Sequence, residues 1–175
     1  PFIESLYSAA SRSENYLSLF TSTQIKKDLH VEAFLRILAM SDIYYGKFKS
    51  SKQGIKNILD EYGEQKKSES ISEEVISKLF SSLDQLLEFF EAKKLFRRVN
   101  ANRDIEGILN FGILESLLGV MVFGGYKLPD NFNAKYINHM GQLFDGYLLD
   151  ESHNPFSTST GSVSSIKKRF EIFEG

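Results

Sequence analysis

Residues 70–90 read SISEEVISKLFSSLDQLLEFF. Val75, Ile76, Leu79, Phe80, Leu83, Leu86, Leu87 and Phe90 recur at three- and four-residue intervals. That spacing gathers side chains on one face of an α-helix, here over about five turns. Ser70-Ile71-Ser72-Glu73 has the form of a capping box at its start. Glu73 and Glu74 then fall in the first turn, where carboxylates favour the helix dipole. This is a better use for them than a general acid/base pair.

The same pattern recurs on either side. From Asp28 to Tyr45, Val31, Phe34, Leu35, Leu38 and Ala39 form a stripe, with Asp28 as a candidate cap and Gly46 as a stop. From Ser51 to Tyr62, Ile55, Ile58, Leu59 and Tyr62 repeat it, and Gly63 is expected to end it. EQKKSES, residues 64–70, reads as a solvated linker. KKLFRRVNANR, residues 93–103, has no clear period. Beyond it Asp104 is expected to cap a helix reaching Val122, broken by Gly124-Gly125 and Pro129. Asn131 to Leu148 is a further helix, Asp150 to Ser165 a polar loop, and Ile166 to Phe173 a last helix. No segment sustains period-two alternation. The expected fold is all-α: one compact bundle of roughly six or seven helices over residues 1–175, with no sheet, repeat or internal boundary.

Composition agrees with a folded domain. The 175 residues are 42% hydrophobic and 25% charged, which excludes a disordered polar chain. With 21 basic and 23 acidic residues the net charge is −2, so the overall footprint of a nucleic-acid binder is missing, though a local patch is not excluded. Cysteine is absent, which removes disulfides, thiolate zinc sites and a cysteine nucleophile. The first twelve residues contain Glu4 and Arg12 and do not form a secretory signal. The most apolar run, Gly107 to Gly125, carries Asn110 and Glu115 and is interrupted by Gly112 and Gly119, so it reads as a buried helix rather than a membrane span. The expected compartment is the cytoplasm. Pro1 in place of an initiating Met leads to the expectation of a longer parent protein.

Catalytic motifs are missing: no GxGxxG, no GxxxxGK[ST] and no HExxH. Gly124-Gly125 follows an apolar helix, so it reads as a helix stop. His30, His139 and His153 have no second ligand at metal spacing. Tyr44-Tyr45 could stack on bases, but Phe and Tyr at helical spacing are normally core. Three basic points stand out: Arg36 inside FLRILA, Arg97-Arg98 after Leu95-Phe96, and Lys167-Lys168-Arg169 before Phe170. These six residues are the candidates for an anion, phosphate or DNA contact. The competing reading is that the arginines snorkel or pair with acids. Arg36 is the sharpest case, because a guanidinium amid Leu35, Ile37 and Leu38 needs a partner. The Ser/Thr loop from Thr158 to Ser162 has donors for an anion near a helix start.

Several stretches, in order, resemble the phage-defence proteins of the GmrS type, which have a ParB/sulfiredoxin-like nucleotide-binding fold. The resemblance lies in their helical C-terminal half. PFIESLYSAA (1–10) is similar to the segment after the family's α/β part. IKKDLHVEAFLRILAMSDIYYGKFKSSKQGIKNIL (25–59) is similar to its E-x-x-L-R-F-L-A helix and the Y-x-G element that follows. KKLFRRVN (93–100) resembles its F-R-R segment, and TSTGSVSSIKKRFEIFE (158–174) its closing loop and K-K-R-F-E-I helix. The pieces span nearly the whole chain, and their order and spacing carry the resemblance. It implies modification-dependent restriction driven by nucleoside triphosphate, with a nuclease domain. The family's Asp-Gly-Gln-Gln-Arg signature belongs to the N-terminal α/β half, and this chain has no such run.

The resemblance therefore implies a non-catalytic helical subdomain, with no cofactor of its own. Its expected partner is a nucleotide-binding half, in the same protein or another subunit. DNA and a second copy of the chain are further candidates; a membrane is not. Arg36, Arg97 or Arg98, and Arg169 match the family's recurrent arginines, while His30 stands where an acidic residue is common. Two readings of other classes compete. One is a free-standing interaction module with an apolar groove of Phe89, Phe90 and Phe123. The other is a nucleic-acid binder using the Lys167-Lys168-Arg169 cluster.

Overall fold

The computed structural model describes residues 1–146, 154–156 and 161–174. Along them run α1 (Phe2–Ala10), α2 (Glu14–Leu17), α3 (Ser22–Lys26), α4 (Leu29–Tyr44), α5 (Ile55–Lys66), α6 (Glu73–Leu87), β1 (Arg98–Val99), β2 (Ile105–Glu106), α7 (Phe111–Val122), α8 (Phe132–Gly146) and α9 (Val163–Glu174). The expected all-α architecture is what the chain adopts. The helices beyond six or seven are α1, α2 and α3, in the first 27 residues, where no long period announces them. Local chemistry builds the last two: Ser13 accepts from the Tyr16 amide, and Thr21 with Gln24 forms a full capping box.

Helix α7 is the centre. Every residue from Gly112 to Val122 is buried, as a helix that is apolar all round must be. Helices α4, α6 and α9 pack around it. Helix α6 buries the one stripe expected of it, Ile76, Leu79, Leu83 and Leu86. Helices α1 and α5 close over α4, and α8 lies against β1. Among the described residues no helix is long and apolar enough to cross a membrane.

The expectation of no sheet needs correcting, and so does the helix start at Asp104. Arg98–Val99 and Ile105–Glu106 pair antiparallel, with Arg98 opposite Glu106. The Asn100 side chain makes the turn: its Oδ1 accepts from the amides of Asn102 (2.9 Å) and Asp104 (3.0 Å). Arg103 sits at φ 67°, a left-handed conformation that a helix cannot contain. Helix α7 instead begins at Phe111, where the Asn110 Oδ1 accepts from the Ile113 amide at 3.0 Å.

Other boundaries shift for similar reasons. The cap of α6 is Ser72, which accepts from the Val75 amide; the Ser70 box does not form. Asp28 makes no side-chain cap, and its carboxylate accepts from the Tyr7 hydroxyl at 2.9 Å. Gly63 lies inside α5 with open space around it, and the helix runs on to Lys66 through part of the expected linker. Helix α9 begins three residues early, at Val163. His153, Tyr147 and Thr158 to Thr160 lie outside the described residues.

Candidate functional site

Helices α4, α7 and α9 each bring one charged residue to a shared buried point. Arg36 of α4 donates through Nε to the Glu115 Oε2 at 2.5 Å. Arg169 of α9 donates through Nη2 to Oε1 of the same carboxylate at 2.7 Å. A second Arg169 nitrogen, Nη1, donates to the Pro155 carbonyl at 2.9 Å. Glu115 and Arg169 are fully buried, and the Arg36 side chain is 11% exposed. Each carboxylate oxygen thus accepts one charge-assisted hydrogen bond, from a different guanidinium.

Local sequence makes room for this. Gly112 lies one turn before Glu115 on α7, and a Cβ there would stand 2.9 Å from the Arg169 Cδ. The arginine stem therefore crosses α7 at a residue without a side chain and reaches the carboxylate one turn on. The Arg36 guanidinium lies 5.4 Å from the centre of the Phe111 ring, a cation–π contact. The result is a cross-link between elements 79 and 54 residues apart in the chain.

The six basic candidates do not form one surface. Arg169 is enclosed and cannot present its charge to a phosphate in this fold, which corrects its candidacy. Arg36 is likewise engaged by Glu115. Arg97 is half-buried and donates through Nη1 to the Gly107 carbonyl at 2.8 Å, while the Tyr136 hydroxyl donates to its backbone carbonyl. Its Nε is buried without a hydrogen-bond partner, and burial lowers its pKa. Arg98 is exposed on β1, and Lys167 and Lys168 are exposed on α9.

Other candidates resolve into the core. Tyr44 stacks on Phe170 with centroids 4.9 Å apart and planes at 25°. The Tyr45 hydroxyl donates to Glu174 at 3.3 Å. Gly124 packs under that tyrosine, and Gly125 is left-handed at φ 70°, the expected helix stop. His30 is buried with its ring against Phe20 and its Nδ1 unpartnered. Phe89, Phe90 and Phe123 do not share a groove: Phe89 and Phe90 are covered by Phe132 of α8, and Phe123 lines a separate cavity of about 270 Å³ with Phe2 and Tyr62. Among the described residues no three His, Asp or Glu gather to hold a metal.

Glu115 is the residue the sequence reading missed as a site member. It registered only as an interruption of an apolar run. The available signal was reciprocal: Arg36 and Glu115 are lone opposite charges, each inside an apolar helix, and each needs a partner. No protein-family profile, curated protein or solved structure matches the chain.

Proposed function

We propose that the chain is the non-catalytic helical half of a GmrS-type, modification-dependent defence protein, working in the cytoplasm. It would act as a rigid support for a nucleotide-binding α/β half and a nuclease domain. The observation that carries this reading is the meeting of Arg36 and Arg169 on Glu115. These arginines come from two of the stretches that resemble the family, and the fold spends both on architecture. The nucleoside triphosphate chemistry then belongs to the α/β half, consistent with a helical part that carries no Asp-Gly-Gln-Gln-Arg run.

The test is genetic, then biochemical. The reading frame upstream of Pro1, or an adjacent gene, is expected to encode a strand–helix unit with Asp-Gly-Gln-Gln-Arg. The intact system should lose nucleotide-dependent cleavage of modified DNA when residues 1–175 are deleted. Absence of the unit, or full cleavage after the deletion, rejects the proposal.

A second reading rests on the exposure of Lys167 and Lys168 on α9. If they contact DNA phosphates, Lys167→Ala/Lys168→Ala should reduce the salt slope of binding by about 1.8. An unchanged slope excludes that surface.

A further inference from the structure

Of the six basic candidates, Arg97 is the one taken partly out of water without a counter-charge. The residue is half-buried. Among the described residues no carboxylate pairs with it, and its Nη1 donates to a neutral acceptor, the Gly107 carbonyl, at 2.8 Å. Burial lowers its pKa, and no neighbouring charge offsets that. Arg36 and Arg169 share Glu115, whereas Lys167, Lys168 and Arg98 are exposed. A guanidinium drawn out of water costs free energy until an anion answers it.

Two donors of Arg97 stay unpaired. Nε is buried without a hydrogen-bond partner. Nη2 makes no hydrogen bond among the described residues either, and unlike Nε it reaches solvent. In a planar guanidinium these two nitrogens share one edge, so an oxyanion at Nη2 also lies beside Nε. A buried unsatisfied polar atom next to an accessible one is the mark of a missing ion.

The arginine is also held in place. Phe96 before it is fully buried at φ 59°, a strained conformation for a bulky residue, and its carbonyl accepts from the Asn110 amide at 2.9 Å. The Arg97 carbonyl accepts from the Tyr136 hydroxyl of α8 at 2.8 Å. The charge around it is one-sided. Residues 93–103 contain Lys93, Lys94, Arg97, Arg98 and Arg103 and no acid, in a chain whose net charge is −2. The flanking acids Glu91, Asp104 and Glu106 are exposed, and Glu106 stands opposite Arg98 and accepts from Asn100. Several cations together attract a dianion more than a monoanion.

We propose that Arg97 is the anchor of a phosphate-binding site, with a phosphate dianion docked on its Nε–Nη2 edge beside the base of the β1–β2 hairpin. Lys93 and Lys94 raise the local potential, and the fixed backbone presents the guanidinium already oriented. The site is separate from the Arg36–Glu115–Arg169 cluster and from Lys167 and Lys168, and it does not rest on the function proposed above.

The test uses the full chain, with NMR of backbone amides and of the arginine Nε–H groups. Inorganic phosphate and methyl phosphate at pH 7.5, against chloride at matched ionic strength, should shift the Arg97 Nε–H signal saturably, with a Kd of roughly 1–10 mM for ligands of so few atoms. Methyl sulfate, the same shape with one charge, should bind more weakly. Arg97→Gln should weaken phosphate at least about tenfold, as expected for a lost charge-assisted hydrogen bond. Arg97→Lys keeps the charge but not the fork, and should retain part of the binding. Lys167→Ala/Lys168→Ala should leave it unchanged. The wild-type Nε–H signal reports on the site even where a variant fails to fold. A short DNA duplex run beside methyl phosphate separates a free phosphate from a polymer's. No saturable shift at Arg97 with either phosphate, methyl sulfate binding as tightly as methyl phosphate, or a response confined to the duplex overturns the proposal.

Discussion

Glu115→Gln should be among the most damaging single changes in this protein. The wild-type carboxylate accepts from Arg36 at 2.5 Å and from Arg169 at 2.7 Å. A carboxamide keeps one acceptor and turns an N–H₂ donor toward the second guanidinium, which is also a donor. Arg169 is fully buried and loses the carboxylate that its Nη2 holds at 2.7 Å. Removing one partner of a buried ion pair costs about 3–5 kcal/mol. For a chain of this size that is a fall in Tm of about 6–20 °C. The assay is urea unfolding followed by far-ultraviolet circular dichroism, with m-values compared so that only stability is read. Asp60→Asn is the control, because its pair with Lys56 is open to solvent (side chains 68% and 87% exposed) and should matter by under about 0.5 kcal/mol. Replacing the whole cluster, Arg36→Met/Glu115→Leu/Arg169→Met, should recover most of the loss, since the carboxylate and both guanidinium charges leave together. A Glu115→Gln variant as stable as the Asp60→Asn control would refute the reasoning.

Three other outcomes follow from the same structure. Gly119→Ala should cost about 1–3 kcal/mol, because its Cβ would stand 2.5 Å from Phe170 and from Ser41, whereas Gly63→Ala, with nothing within 4 Å, should stabilise α5 by about 0.5–1 kcal/mol in thermal melts. Ser72→Ala should cost about 1 kcal/mol and Ser70→Ala less, a contrast in melting temperature that identifies the true cap of α6. Alkaline pH should unfold the protein through its tyrosines. A hydrogen bond to Glu174, then burial, pushes Tyr44 up to about 12, and burial holds Tyr16, Tyr62 and Tyr136 higher than usual too. The unfolded chain releases these protons near pH 10, so the stability they contribute is full below about 10 and lost as pH rises above it. Tyrosinate absorbance should therefore rise together with loss of helical dichroism; independent titration of all tyrosines near pH 10 on a folded chain would contradict this.

Much of the fold is written in local patterns. The stripe from Val75 to Leu86 specifies α6, because a 3.6-residue period cannot serve a strand. The buried reading of the Gly107–Gly125 run is likewise realised in α7. Boundaries were less legible. Asn100 and Arg103 turned an expected helix start into a hairpin, since a side-chain cap and one left-handed residue outweigh helix propensity. Gly63 failed as a stop because no left-handed cap forms there and the backbone simply continues.

The candidate site was half legible. A lone arginine in FLRILA demanded a partner on energetic grounds, and that demand was met. Which acid would answer it was not written nearby, since Glu115 lies 79 residues away and Arg169 a further 54. Gly112 could be read only as a break in an apolar run; its use is to let an arginine stem cross α7. The sequence by itself determined a mainly helical, cysteine-free fold, because periodicity and composition act within a few turns of chain. The tertiary structure alone decided that Arg36 and Arg169 face inward to one carboxylate. Burial and charge pairing are set by which helices meet, and no local pattern records that.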